Sequence, residues 1–408
     1  MPITKYSLLI VFIFSVVISI SIGTNKNDTF QILSDNNNIL VKRQIKISNK
    51  NFFQLKNNFV SRKKRTKLNV YKARSWKTVI SYFVDKRVDK TTIEASLRKI
   101  ELETCLRFVP IKKITRKSRP MIFDYTKPCK FGKNIFFKKY IDPECYTSGY
   151  LFREVFHQLG LVYEHQRRFR NSYIYLNKKA IDGSVKSYFT KFDISLMDKP
   201  YYPYDYGSVM QPDKYFLATK GIQTMVPSHY LYQQTMGQNA YPSFLDFKRI
   251  NEYYCNKECH KHINCKFGGY PHPEFCSICK CVFGHVGAHC ERFNKPTRSC
   301  PTPIHVATNN EKYIHSRGIK NCAYLIKGIP GKRIALKISN GFIFPDKQTV
   351  CPPDNSLEVK YLKDITSTGA RFCGKLSNIG IISQDYYVYI YFKSRGPINN
   401  FFLKYKLF

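Results

Sequence analysis

Between Arg153 and His165 the chain reads Arg-Glu-Val-Phe-His-Gln-Leu-Gly-Leu-Val-Tyr-Glu-His, a dense run of carboxylates and imidazoles. On a helix, residues three and four apart share a face, so Glu154 and His157 are neighbours. A carboxylate beside a histidine is the material of metal-assisted hydrolysis. Imidazole nitrogens hold a divalent cation, and the carboxylate takes a proton from the water bound to it. Such a centre ordinarily needs three protein ligands, and one imidazole falls short of that.

These groups need a helix to carry them. Leu151, Val155 and Leu159 recur at i, i+4 and i+8, with Phe152 and Phe156 alongside, which predicts a helix over 148–159. Gly160 then offers a stop that tolerates positive φ. Upstream, Thr78 to Val84 reads as a strand. Ile93, Leu97, Ile100 and Leu106 predict a helix from Lys90 to Arg107, capped by Thr91 or Thr92. Between Cys255 and Cys290 cysteines crowd together and apolar runs vanish, so that unit depends on its bridges. Beyond Cys300, period-two patterns at Arg333–Ile338 and Tyr387–Phe392 predict an all-β module.

With 408 residues the chain has room for several compact units. Residues 1–23 carry Lys5, an apolar run from Leu8 to Ile20, and small residues Ser21 and Gly23, the layout of a removable signal peptide. All 14 cysteines lie from Cys105 onward, which in an exported chain predicts a disulfide framework. The run Arg62-Lys63-Lys64-Arg65 reads as a processing site, making 24–65 a propeptide that ends at Arg65. Asn27-Asp28-Thr29 is a glycan acceptor inside that segment. The net charge is +39; residues 1–65 hold 11 basic and 2 acidic side chains, so their removal leaves +30. Sulfated glycans and other polyanions are natural partners for such a charge. Nothing pairs basic with aromatic side chains for base readout, so nucleic acid is not an expected partner.

The Arg153–His165 run resembles the metzincin zinc helix H-E-x-x-H-x-x-G-x-x-H, followed by the Glu typical of the astacin family. Tyr204-Asp205-Tyr206-Gly207-Ser208-Val209-Met210 resembles the family's Met-turn. Ser243, Asp246, Ile250, Asn251, Tyr254 and Cys255 fall at the spacing of its C-terminal helix. Residues 259–290 resemble an EGF-like module, carried by Cys265, Gly268-Gly269-Tyr270, Cys276, Cys279, Cys281 and Cys290. Residues 300–408 resemble a CUB domain, carried by Asn321-Cys322, Pro330 to Ile334, Ser356-Leu357-Glu358-Val359 and Cys373-Gly374. The order is similar to that of the modular astacins of roundworms. The resemblance implies an α+β metzincin (astacin-like) two-lobed catalytic-type domain over 66–256. A small disulfide-rich EGF-like module over 257–291 and an all-β CUB sandwich over 300–408 would follow. It further implies the bridges Cys105–Cys255, Cys129–Cys145, Cys300–Cys322 and Cys351–Cys373, with Cys259, Cys265, Cys276, Cys279, Cys281 and Cys290 paired within the EGF-like module. Glu164 would bind the new N-terminus after processing.

Against that pattern the first zinc ligand is Arg153 and the third is Tyr163; His157 alone is retained. A guanidinium stays protonated and repels a cation, while Tyr163 would have to ionise from a pKa near ~10. Gln211-Pro212 follows Met210 where astacins have His-Tyr. Glu154 keeps the general-base position without a metal-bound water to act on. No zinc or other cofactor is therefore expected. Calcium is not assigned to the CUB domain, because Tyr361 occupies the position where family members that bind calcium place an Asp. The expected product is a secreted, extracellular pseudoprotease with no membrane span after signal removal, holding proteins or peptides through its cleft and CUB domain. Two other readings stay open: an active zinc metalloendopeptidase with an unusual ligand set, and a basic scaffold that binds glycans.

Overall fold

The computed structural model describes residues 76–115, 119–124, 148–193 and 201–408 apart from 220 and 260–262. It also describes 197, 199 and the strand segments 18–19, 28–35, 38–45 and 140–141. The signal-peptide and propeptide assignments, Arg65, and Cys129 with Cys145 lie outside the described residues apart from those strand segments. The chain divides into two compact units, 1–67 and 68–408. In the first, Ile18–Ser19, Asp28–Asp35 and Asn38–Ile45 form an antiparallel three-stranded sheet. No helix among the described residues is long and apolar enough to cross a membrane.

The second unit opens with β1 (Val79–Val84), α1 (Lys90–Glu103), β2 (Arg107–Pro110), β3 (Met121–Phe123) and β4 (Tyr140–Ile141). The strands form a parallel sheet in the order β2-β1-β3-β4. Helix α1 is shorter than its apolar spacing predicts and starts on a different cap. The Asp89 carboxylate accepts from the Thr91 and Thr92 amides, and Thr104 is already extended, so Leu106 packs from a loop. A carboxylate preceding two threonines is the better cap, because it accepts both orphan amides with a full charge.

Helix α2 (Ser148–Leu159) has the predicted span. Leu151, Phe152, Val155, Phe156 and Leu159 are all buried against α1, the sheet and Met210. Its last carbonyls would be orphaned at such a buried end. Instead Trp76 Nε1 donates to Gln158 O at 2.8 Å and the Tyr254 hydroxyl to Leu159 O at 2.6 Å. Gly160 turns the chain at φ 117°, a conformation open to glycine at no steric cost. The second lobe holds the antiparallel pair of β5 (Ile174–Leu176) and β6 (Met225–Pro227). It closes on α3 (Phe244–Tyr254), which begins with a reciprocal capping box between Ser243 and Asp246.

A disulfide-rich segment follows, with β7 (Tyr270–Pro271) paired to β8 (Cys279–Lys280) and β9 (His285–Val286) to β10 (Arg292–Phe293). Its bonds are Cys259–Cys276, Cys265–Cys279 and Cys281–Cys290, and Cys105–Cys255 joins the end of α3 to the loop after α1. The C-terminal part is a two-sheet sandwich. One sheet combines β11 (Ile304–Val306), β13 (Lys320–Lys327), β18 (Tyr387–Ser394), β15 (Ser356–Lys360) and β16 (Ala370–Phe372), in that order. The other runs β12 (Lys312–Arg317), β19 (Asn400–Leu407), β14 (Ile334–Ile343) and β17 (Gly374–Ile382). Cys300–Cys322 and Cys351–Cys373 staple it.

The sandwich packs against the second lobe. Thr368 N donates to Asp205 Oδ1 at 3.0 Å, Arg371 N to Thr235 Oγ1 at 2.8 Å, and Cys351 N to Gln234 O at 2.7 Å. Apolar packing is continuous across this contact, with the Tyr232 and Tyr361 rings 5.9 Å apart. The approach is closest at Gly207, where an added Cβ would lie 2.4 Å from Thr368 Cγ2. Gly207→Ala should therefore lower stability by about 1–3 kcal/mol through overpacking. Thr368→Gly in the same chain should return much of the loss. Urea denaturation of the single and double variants checks this, and equal midpoints for the wild type and Gly207→Ala would refute the contact.

Candidate functional site: the floor of the cleft

Helix α2 and the turn after Gly160 bring Arg153, Glu154, His157 and Tyr163 together. The Tyr163 hydroxyl donates to Glu154 Oε1 at 3.1 Å, and its ring lies 4.7 Å from that of His157. His157 Nδ1 lies 3.0 Å from Leu161 O, which fixes the proton on Nδ1. Burial pushes the His157 imidazole down to about 4, so it is neutral at physiological pH. Burial, reinforced by the Glu154 charge, holds the Tyr163 phenol well above the usual tyrosine value. That proton is therefore on oxygen and is committed to Glu154.

Arg153 turns toward the Met210 segment and donates from Nε to Val209 O at 2.6 Å. Val209 N donates to Asp246 Oδ2 at 2.9 Å, while the Ser208 hydroxyl donates to Oδ1 at 2.6 Å. The turn preceding Met210 is thus clamped between a cation on α2 and a carboxylate on α3. Burial and then the charge of Asp205 push Asp246 up to about 6. Met210 is fully buried under α2, and its carbonyl accepts from Glu164 N at 3.1 Å.

Glu164 is fully buried and sits between two arginines. Arg167 Nη1 approaches Oε2 at 2.9 Å, Arg249 Nη1 bonds Oε1, and Asp205 N donates to Oε2 at 3.0 Å. Burial alone would raise its pKa, but the two guanidiniums outweigh it and hold the carboxyl below its ordinary value. A buried carboxylate needs such compensation. The arginines also tie down the loop before the turn, donating to Tyr202 O and Pro203 O. His165 points away from this group. Its Nε2 lies 2.9 Å from Tyr188 O, its ring packs on Phe189 and Phe216, and burial lowers it to about 3.

Residues 68–255 match the model of the peptidase family described as Astacin. This part of the chain is an astacin domain. The zinc metalloproteinase nas-34 of Caenorhabditis elegans is 29% identical over 390 residues, which cover 90% of this chain and 63% of that protein. Nas-23 of the same organism is 32% identical over 241 residues, covering 57% and 44%. The chain thus spans less than two thirds of the length of either relative. Among solved structures, high choriolytic enzyme 1, a hatching enzyme zinc-protease from the medaka Oryzias latipes, is 23% identical. It covers 45% of this chain and 92% of its own, with a TM-score of 0.36. The calcium-bound MASP-1 CUB2 domain is 22% identical, covering 25% and 96%, with a TM-score of 0.21. The astacin domain is followed by a disulfide-rich segment and a two-sheet β-sandwich.

The donor set at the astacin zinc position does not fit Zn²⁺. His157 supplies one neutral imidazole, Arg153 brings a permanent positive charge, and Tyr163 keeps its proton for Glu154. Among the described residues no group of three or more His, Cys, Asp and Glu is placed to hold a metal. In the C-terminal sandwich, Glu358 accepts from Arg371 Nε at 3.0 Å and from Gly369 N at 2.9 Å, so its carboxylate is engaged by protein donors. The arginine pair on Glu164, the clamp on Val209 and the Tyr163–Glu154 bond escape sequence reading. Only the permanent charge of Arg153 hints at any of them.

The buried histidine sets a pH dependence. An unfolded histidine takes up a proton near pH 6.5, whereas folded His157 resists until about 4. Its stabilising share is complete above pH 6.5 and is lost as the pH falls from there toward 4. Wild type should lose on the order of 2 kcal/mol more than His157→Gln between pH 7.5 and 4.5, judged from this shift. Urea midpoints at the two pH values test it; parallel losses would show that His157 is not buried neutral.

Proposed function

We propose that the chain is a secreted astacin homologue that binds extracellular proteins or peptides without cleaving them. The observation that carries this reading is the Tyr163 hydroxyl bonded to Glu154, which occupies the general base with a protein proton. Catalysis of the astacin type needs a metal-bound water at that carboxylate. With Arg153 and Tyr163 at two ligand positions, no set of three metal-binding side chains is left among the described residues to supply one. What remains is a shaped cleft above a rigid floor, joined to modules whose β surfaces suit protein contacts.

The proposed layout is a signal peptide at 1–23, a propeptide at 24–65 released at Arg65, the astacin-like domain to 256, the EGF-like module at 257–291 and the CUB domain at 300–408. The bridge Cys129–Cys145 and the N-terminal role of Glu164 belong to the same proposal. In the second role the new amine would join Arg167 and Arg249 at an already neutralised carboxylate, so processing would not be needed to order this region. The excess of basic residues, +30 after propeptide release, supports attachment to sulfated glycans beside protein binding.

Purified, processed protein should leave casein intact over a long incubation, and its capture by a peptide library should be unchanged by a chelator. Casein cleavage that 1,10-phenanthroline abolishes would overturn the proposal.

A further inference from the structure

Where the three modules meet, the structure forms a solvent-open pocket of about 140 Å³. The astacin domain supplies Tyr241 to Phe244, the EGF-like module Val282 and Phe283, and the CUB sandwich the charged wall. That wall holds Glu358, Lys360, Arg371 and Lys393, three cations against one carboxylate, with Tyr391 among them.

The single carboxylate is already spent. Glu358 Oε2 takes the Arg371 Nε–H and Oε1 takes the Gly369 amide, with Lys360 Nζ 3.9 Å away. Lys360 is satisfied by carbonyls, donating to Ile365 O at 2.7 Å and to Ser367 O. Its charge is further offset by Asp205 and Asp364 nearby. Of the other two cations, Arg371 meets Glu358 through Nε alone, and Lys393 has no ion pair of its own with it. Arg371 is 5% exposed, yet its Nη1 is buried without a hydrogen-bond partner, and so is the Tyr391 hydroxyl. The Lys393 ammonium lies 4.7 Å over the Phe283 ring, and Asp354, the further carboxylate acting on it, is bonded to Arg395.

A buried N–H or O–H with no acceptor is costly, and proteins resolve such a cost with a further acceptor or a ligand. We infer that this pocket is a binding site for a tetrahedral oxyanion, a sulfate or phosphate group. It would be held by the Lys393 ammonium at the pocket wall, and by Arg371 Nη1 and the Tyr391 hydroxyl on a side-chain movement that brings these covered donors to its surface. The chemistry favours this class over an apolar ligand, because the donors are of three kinds and the wall carries an excess of positive charge. The pocket is large enough to admit one such group from solvent. Guanidinium and ammonium donors to such oxygens form short, charge-assisted hydrogen bonds. Because all three modules line the pocket, an anion there would also tie them together.

The test uses the full processed chain, dialysed into chloride buffer and titrated with sodium sulfate, with sodium phosphate, and with sodium chloride at matched ionic strength. Thermal unfolding should rise saturably with sulfate or phosphate and not with chloride. Lys393→Met should weaken the half-saturation concentration by about tenfold or more, and Tyr391→Phe by about threefold, as expected for losing a charged and a neutral donor. Tyr391→Phe removes only a hydroxyl that has no protein partner, so it guards against a variant that fails to fold. A sulfated disaccharide forms the last arm. If it binds and free sulfate displaces it, the anion comes from a glycan; if only the free ions bind, the site takes an ion from solution, and either result supports the inference. No saturable effect beyond that of chloride, or the same sulfate response in wild type and both variants, would overturn it.

Discussion

A carboxylate withdrawn from water must be matched by a donor or a cation, and this site is arranged around three of them, Glu164 and Asp246 fully buried and Glu154 half-buried. Glu154 takes the Tyr163 hydroxyl, Glu164 takes two guanidiniums, and Asp246 takes the Ser208 hydroxyl and the backbone of the turn before Met210. Each match is made by protein atoms alone. The turn, helix α2 and helix α3 are therefore held in place by side chains of the floor itself. Arg153 belongs to the same arrangement, since its bond to Val209 O anchors α2 to the turn from the position where the family's motif places an imidazole.

The constraint extends beyond the astacin domain. Asp205 lies in that turn, its amide donates to Glu164, and its carboxylate accepts from both Gly207 N and Thr368 N. The C-terminal sandwich thus rests on the turn that leads to Met210. The disulfide-rich segment also braces the astacin domain, with Lys280 paired to Glu103 at the end of α1 and Lys248 donating to Gly268 O. Stability in one module is consequently felt in the others, a feature that suits a binding protein better than a string of independent beads.

Local patterns are the readable part of this sequence. The i, i+4 spacing of Leu151, Val155 and Leu159 and the glycine at 160 specify α2, because a 3.6-residue period and a positive φ leave a mark on consecutive residues. The strands Ile334–Ile343 and Tyr387–Ser394 show in their alternation. The start of α1 is harder to read, because Asp89, Thr91 and Thr92 are all capping types and only the fold shows that the carboxylate takes the amides. Illegible altogether is the set of partners brought together by the fold: Arg249 reaches Glu164 across 85 residues and Thr368 reaches Asp205 across 163. No period or spacing encodes such a pairing. A charged residue in a sequence announces that it needs a partner, without naming one.

Zinc affinity is the most direct measure of whether this floor has exchanged a metal for protein hydrogen bonds. Equilibrium dialysis against Zn²⁺ should be run on the processed protein and on the Arg153→His/Tyr163→His variant, which restores three imidazoles around α2. The account predicts no stoichiometric zinc in the unaltered chain and close to one equivalent in the variant. One equivalent of tightly held zinc in the unaltered chain would contradict it.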